Sequence, residues 1–165
     1  MRESILINTT PILTIIAACG NLQILEKLYE NILVPLEVKE EILEGGKLGF
    51  GVDEFLNTNF LKISSAYSII PTHLIEFLDK GEASVIASAI EKKIPLVCID
   101  ETEGRRFARI EKLTVTGSLG VLLKARKNKI LSSPMKELIP KIVEHGIWLS
   151  ERVIQEVLLE DESNL

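Results

Sequence analysis

Pro95-Leu96-Val97-Cys98-Ile99-Asp100-Glu101-Thr102-Glu103 is the stretch that decides the fold of this chain. Leu96 to Ile99 form an uninterrupted apolar run rich in β-branching, which reads as a short strand buried on both faces, as in a parallel sheet. The run stops abruptly at Asp100-Glu101, and a charged helix, Gly104-Arg105-Arg106-Phe107-Ala108-Arg109, follows. Ligands of open α/β sheets bind in the crevice outside the carboxyl ends of the strands, so an acid at the last step of a hydrophobic strand is well sited for chemistry. Asp is also a common helix N-cap, and that simpler role competes at this position.

Working outward, the same strand-then-helix rhythm recurs. Ile5-Leu6-Ile7 reads as a buried strand ending at Asn8; Thr10 then caps a helix with Pro11 in its first position, and Gly20 stops it. Asn21-Leu22 opens a second helix carrying Leu22, Leu25 and Leu28 on one face. Ile32-Leu33-Val34 is a second strand, and Pro35 starts a helix from Leu36 to Glu44 closed by Gly45-Gly46. Lys47 to Asn59 reads as a loop with a short helical piece at 52–56, followed by a strand at 60–63. Helices are expected at 72–78 and from Asp79 onward, the latter with Ala83, Ile86, Ala87 and Ile90 on one side. After the central strand come a helix at 103–112, a strand Thr114-Val115-Thr116, a helix from Leu119 to Lys127, one begun by Ser133-Pro134, and a last one capped by Ser150 and running to about Leu159. Such alternation predicts an α/β fold: three layers, α/β/α, around a central, mostly parallel sheet. Residues 1–160 form the single domain in this reading, and 161–165 an acidic, frayed tail.

The bulk numbers narrow the function classes. The chain has 165 residues, 46% hydrophobic and 26% charged, enough for one domain with a real core. A formal net charge of -5 argues against coating nucleic acid through bulk charge but allows a local basic groove. Cys19 and Cys98 lie in apolar runs and read as reduced, buried thiols without zinc-site neighbours. Arg2 and the run Ile15-Ile16-Ala17-Ala18-Cys19 have a passing likeness to a lipoprotein signal. Glu3 and the interruption Asn8-Thr9-Thr10-Pro11 speak against it. No run approaches the ~20 apolar residues of a membrane helix, so a cytoplasmic protein with no membrane contact is expected.

Four polar residues fall at comparable places: Asn8 and Asp100 at strand ends, Glu41 on a helix, and Glu82 in a helix's first turn. Hard divalent cations want several oxygen donors around one point, and single acids from separate strand ends and helix starts suit that need. Each also has a structural role open to it. Asp79-Lys80-Gly81-Glu82 is a capping box. Glu41 shares its helix with Glu37, Glu40 and Glu44, yet its spacing from Val38 and Ile42 puts it at the border of the core. Asn8 can satisfy backbone donors at the first helix, and Thr116 can cap or hydrogen-bond within a site. Lys124, Arg126, Lys127 and Lys129 form the dense basic cluster, as a cation-complemented helix C-terminus or as a phosphate-contact patch. His73 and His145 are isolated.

Taken in order, Leu6-Ile7-Asn8-Thr9-Thr10-Pro11, Val34-Pro35 with Val38 and Glu41-Ile42, Asp79-Lys80-Gly81-Glu82-Ala83, Cys98-Ile99-Asp100-Glu101 and Val115-Thr116-Gly117-Ser118-Leu119-Gly120 resemble a PIN-domain protein. Within that family they are similar to small prokaryotic members described as predicted nucleic-acid-binding, relatives of toxin ribonucleases. The resemblance implies a Mg²⁺- or Mn²⁺-dependent nuclease fold with Glu41, Glu82 and Asp100 at the metal and Asn8 and Thr116 assisting. Arg105, Lys124, Arg126 and Lys127 would then contact phosphates. It implies single-stranded RNA as substrate, with an antitoxin protein and a second copy of the chain as partners. Asn8 stands where most PIN nucleases carry Asp, which removes one negative charge from the site. Two main readings follow: a metal-dependent endoribonuclease, the toxin of a toxin–antitoxin pair, or a catalytically weakened relative that binds nucleic acid or protein through the same groove. A receiver-like phosphoacceptor built on Asp100 ranks last, because paired acids after the first strand and a convincing lysine after a later strand are missing.

Overall fold

A computed structural model describes residues 2–45 and 49–164. Its centre is a five-stranded sheet of β1 (Ser4–Ile7), β2 (Asn31–Val34), β3 (Leu61–Ile63), β4 (Leu96–Cys98) and β5 (Thr114–Thr116). The spatial order is β3-β2-β1-β4-β5, and every pairing is parallel. Ile5, Leu6, Ile7, Val97, Cys98 and Ile99 are wholly buried, as strands covered on both faces must be. Burying each branched side chain of this kind contributes roughly 1.5–3 kcal/mol, which makes the β1–β4 pair a natural centre of the core.

Helices close both faces. One layer contains α1 (Thr9–Cys19), α8 (Ser118–Lys127), α9 (Met135–Glu144) and α10 (Glu151–Ser163); α1 packs on α8 and α9, and α10 on both of those. Across the sheet, α6 (Lys80–Lys92) lies on β1 and β4 and meets α5 (Thr72–Ile75) and α7 (Thr102–Ile110), while α3 (Leu36–Leu43) packs on both α6 and α1. Two short helices, α2 (Gln23–Leu28) and α4 (Val52–Leu56), complete the chain. This is the three-layer α/β/α arrangement that the strand–helix alternation predicts. Gly20 ends α1 in the left-handed region (φ 78°), donating its amide to the Ile16 carbonyl at 2.7 Å.

Several local expectations are corrected. Asn8, not Thr10, occupies the N-cap of α1, which places Pro11 within the first turn, where its missing N–H costs nothing. Helix α5 is shorter than the expected 72–78. Ile90 is exposed, and α6 instead buries nearly its whole circumference from Gly81 to Ala89, because it is sandwiched between the sheet and its neighbouring helices. Gly46 and Lys47, read as the end of α3 and the start of a loop, lie outside the described residues.

The largest correction is at the carboxyl end. The acidic tail expected to fray from residue 161 continues α10 to Ser163, and Asp161 is buried. Its carboxylate accepts from Arg126 Nε at 2.8 Å and from the Met135 amide at 2.8 Å, while Arg126 Nη1 donates to the Ser132 carbonyl at 2.9 Å. One acid thus ties α10 to α8 and to the start of α9. Burial alone would raise the Asp161 pKa, but Arg126 and the Met135 amide outweigh it and hold the carboxyl below its ordinary range. Removing one partner of a buried, hydrogen-bonded pair leaves the other charge uncompensated. Asp161→Ala should therefore lower stability by about 3 kcal/mol, read as a reduced midpoint in urea unfolding, whereas Glu160→Ala on the exposed side should change it little.

Candidate active site

The sheet reverses its winding direction between β1 and β4, since the connections lead from β1 to β2 on one side and from β4 to β5 on the other. Ligand crevices form at such a point, beyond the carboxyl ends of the strands. The Asn8 amide donates to the Cys98 carbonyl at 3.1 Å, so residue 8 stands directly beside the segment that leads into Asp100 and Glu101.

Asn8 is 3% exposed, and its side-chain oxygen Oδ1 is buried with no hydrogen-bond partner. Next to it, Gly81 on α6 is a gap that a side chain would fill. A Cβ there would stand 2.6 Å from Glu41 Oε2, 3.0 Å from Asn8 Oδ1 and 3.4 Å from Asp79 Oδ1. Three oxygens from three different elements therefore crowd around one point. Glu41 reaches it from the last part of α3 with its residue otherwise exposed.

Glu82 realises the capping box and still contributes to the cluster. Its amide donates to Asp79 Oδ1 at 2.8 Å, and its Oε2 accepts from the Asp79 amide at 3.3 Å. Its other oxygen, Oε1, faces Gly104 on α7, where a Cβ would approach to 3.2 Å. Glycine at 104 lets α7 come close enough to enclose this carboxylate.

Glu101 completes the group, and the sequence reading missed it by favouring the neighbouring Asp100. Thr10 donates its hydroxyl to Glu101 Oε1 at 2.7 Å, while Oε2 is buried without a partner. The available signal was the pair Asp100-Glu101 itself, since adjacent residues just past a strand point in different directions.

The electrostatics follow from crowding. Burial, then the charges of Asp79 and Glu101, and then that of Glu41 push the Glu82 carboxyl up to about 7, with the Asp79 amide partly opposing them. Burial also raises Glu41. The Thr9 hydroxyl beside it offsets part of this at a geometry short of a hydrogen bond, and Asp79, Glu101 and Glu44 push upward again. Among the described residues no Lys or Arg forms an ion pair with Glu41, Glu82 or Glu101. Nor do any three His, Cys, Asp or Glu side chains there stand ready as a closed metal shell. What fits a hard divalent cation is the donor set: oxygens only, uncompensated negative charge, and two buried oxygens without a partner.

Asp100 lies on the other side of Glu101 and is half-buried. Its carboxylate accepts from the Ser118 amide at 2.7 Å and the Ser118 hydroxyl at 2.9 Å, which fixes the start of α8. Burial raises its pKa; the two Ser118 bonds lower it, Glu101 raises it and Arg105 lowers it. Arg105 donates to the Ile99 carbonyl at 2.9 Å, and Thr116 packs against Gly120. An open cleft of about 850 Å³ is lined by Thr10, Asp100, Glu101 and Arg105, by the first turns of α8, by Trp148 and by α10; of the clustered donors Glu101 alone lines it.

The basic residues divide. Arg126 is committed to Asp161, and Lys124 lies 4.7 Å over the Tyr29 ring and 4.0 Å from Glu3. Lys127 is exposed and, like Arg126, borders a separate hollow rather than this cleft. Only Arg105 of the four basic residues singled out in the sequence lines the acid-bearing cleft.

A family profile described as a PIN domain matches residues 4–163. The chain belongs to the PIN-domain family, whose fold is of nuclease type. No curated protein and no solved structure matches it.

The raised Glu82 pKa has a signed consequence. The folded protein holds this proton after the unfolded chain has lost it, so ionising Glu82 opposes folding. Stability should fall as pH climbs from about 4.5 to about 7, the ordinary and folded values, and level off above. Glu82→Gln keeps an acceptor for the Asp79 amide and removes the charge. Discounted for solvent screening, the gain is about 1–2 kcal/mol. Thermal unfolding at pH 8 should show the variant melting roughly 2–6 °C higher, with the difference vanishing near pH 4. A variant less stable than wild type at pH 8 would refute this account.

Proposed function

We propose that this chain is a metal-dependent endoribonuclease acting on single-stranded RNA, with Asn8, Glu41, Glu82 and Glu101 as the oxygen donors of the metal site. The observation that carries the reading is the convergence of uncompensated oxygens, two of them buried and partnerless, where the sheet reverses its winding. Such a group is repelled internally and relieved by a dication. Bound Mg²⁺ or Mn²⁺ would supply charge against the scissile phosphate and lower the pKa of a bound water.

The chain's own residues then have separable tasks. Thr10 holds Glu101 by one oxygen and leaves the other free. Asp79 fixes Glu82 at the head of α6. Asp100 sets the position of the α8 N-terminus through Ser118, and Thr116 lies beside that turn. Arg105 gives the cleft a cation for a phosphate next to the scissile one. As a toxin, the protein would be silenced by a small antitoxin. Tyr67, Ile69, Ile75 and Phe77 are exposed apolar side chains that such an antitoxin or a second copy of the chain would cover.

A second reading is favoured by one residue. The amide at Asn8 brings no charge to the site, which weakens the pull on a cation and suits a module that binds nucleic acid without cutting it.

Two measurements decide. Because a cation must displace the proton held near pH 7 by Glu82, calorimetry with Mn²⁺ should give an affinity roughly tenfold higher at pH 8 than at pH 6, with proton uptake by the buffer. Cleavage of single-stranded RNA should require Mn²⁺ or Mg²⁺, stop with EDTA, disappear in Glu101→Gln and rise in Asn8→Asp. If neither wild type nor Asn8→Asp binds Mn²⁺ or cuts RNA, the binding-module reading replaces the nuclease.

A further inference from the structure

The chain has a single tryptophan, Trp148, and it is 83% exposed. Large aromatic side chains are usually well buried, so a lone tryptophan held in water needs a reason. It does not hang from a loose loop. Gly146 turns the chain out of α9 at φ 87°, its amide bonded to the Val143 carbonyl at 3.0 Å. Ile147 is then buried and Leu149 half-buried, and Ser150 caps α10 by accepting from the Val153 amide at 3.2 Å. Residue 148 thus lies between two anchored neighbours, with its indole in solvent.

Trp148 lines the same cleft as Asp100, Glu101 and Arg105. The lining of this cleft is mixed: beside Thr10, Thr102, Arg105 and the acids it includes Leu119, Leu123, Ile147, Leu149, Val153 and Val157. Phosphates are poor occupants of the apolar part of that lining, since Arg105 is the single cation among the lining residues, against Asp100, Glu101 and Glu160. A flat, apolar, π-faced group is a good one. Indole rings stack on nucleobases with little regard for sequence, because every base has a π-face.

We infer that Trp148 is a stacking platform for an unpaired base of the RNA strand, seated away from the scissile bond at the far end of the acid-bearing cleft. The inference rests on the reading of this cleft as a nucleic-acid site. It adds a rule for the substrate: a strand whose bases are free to splay out binds, and a paired duplex does not.

The lone tryptophan makes the test direct, since all indole emission comes from the residue in question. A short 2′-O-methyl oligouridylate, resistant to cleavage, should quench that emission saturably, and an abasic ribose-phosphate oligomer of equal length should not. Anisotropy of the end-labelled oligouridylate should show Trp148→Ala weakening binding about tenfold or more, with Trp148→Tyr recovering most of the loss. On cleavable RNA the defect should appear in KM, with kcat close to wild type. Oligouridylate binding without quenching, unchanged in Trp148→Ala, overturns the inference, as does an effect of Trp148→Ala on self-association alone. Quenching by a protein that cleaves nothing supports the platform and removes the nuclease reading. Cleavage without quenching does the reverse, and no binding of any oligonucleotide overturns both.

Discussion

The parallel pairing of β1 with β4 is the constraint on which the rest depends. It sets Ile7 opposite Cys98 and joins the Asn8 amide to the Cys98 carbonyl, so two chain segments separated by some ninety residues leave the sheet side by side. Everything chemical then follows from what comes next in each segment: Asn8-Thr9-Thr10 in one, Asp100-Glu101 in the other. A one-residue slip in that register would turn the slipped strand's side chains to the opposite face, and the close packing of Ile5, Leu6, Ile7, Val97 and Cys98 against helices on both faces opposes it.

Around this pair the helices bring acids to the crevice while their own local needs are met. Glu82 caps its own helix with one oxygen, Asp100 holds the first turn of α8, and Glu101 is steadied by Thr10. These dual roles show why a capping role and a site role are not alternatives for a carboxylate with two oxygens. Glycines at 81 and 104 matter for the opposite reason: a Cβ at 81 would stand among Glu41, Asn8 and Asp79, and one at 104 would press on Ile99 and Glu82. The cost is electrostatic. Burial and mutual repulsion carry the Glu82 carboxyl up to about 7, so the site weakens the fold at neutral pH when nothing neutralises it.

The other end of the molecule shows how little charge counting says about position. Arg126 belongs to the densest basic stretch of the sequence, yet it is turned inward to Asp161, where it locks α10 against α8. Arg105, in a helix of mixed charge, is the arginine that borders the cleft. The exposed indole of Trp148 lies on that same cleft and had no signature in periodicity, since one residue between two anchored neighbours has no period.

Hydrophobic runs, glycine and proline punctuation and the strand–helix alternation determine by themselves a parallel α/β sheet with helices on both faces. Local propensity and burial pattern are properties of neighbouring residues, and they are fully written in the order of those residues. The strand ends that would carry polar groups were legible for the same reason, and so was the capping box at Asp79 and Glu82. Tertiary structure alone decided which of two adjacent acids, Asp100 or Glu101, turns toward Glu41 and Glu82, that Asp161 is a buried anchor rather than part of a loose tail, and that Arg126 faces inward. Each of those outcomes depends on a partner contributed by a distant segment: Ser118 for Asp100, Thr10 for Glu101, Arg126 for Asp161. Nothing within a few residues of an acid reveals which hydrogen-bond donor the fold will bring to it.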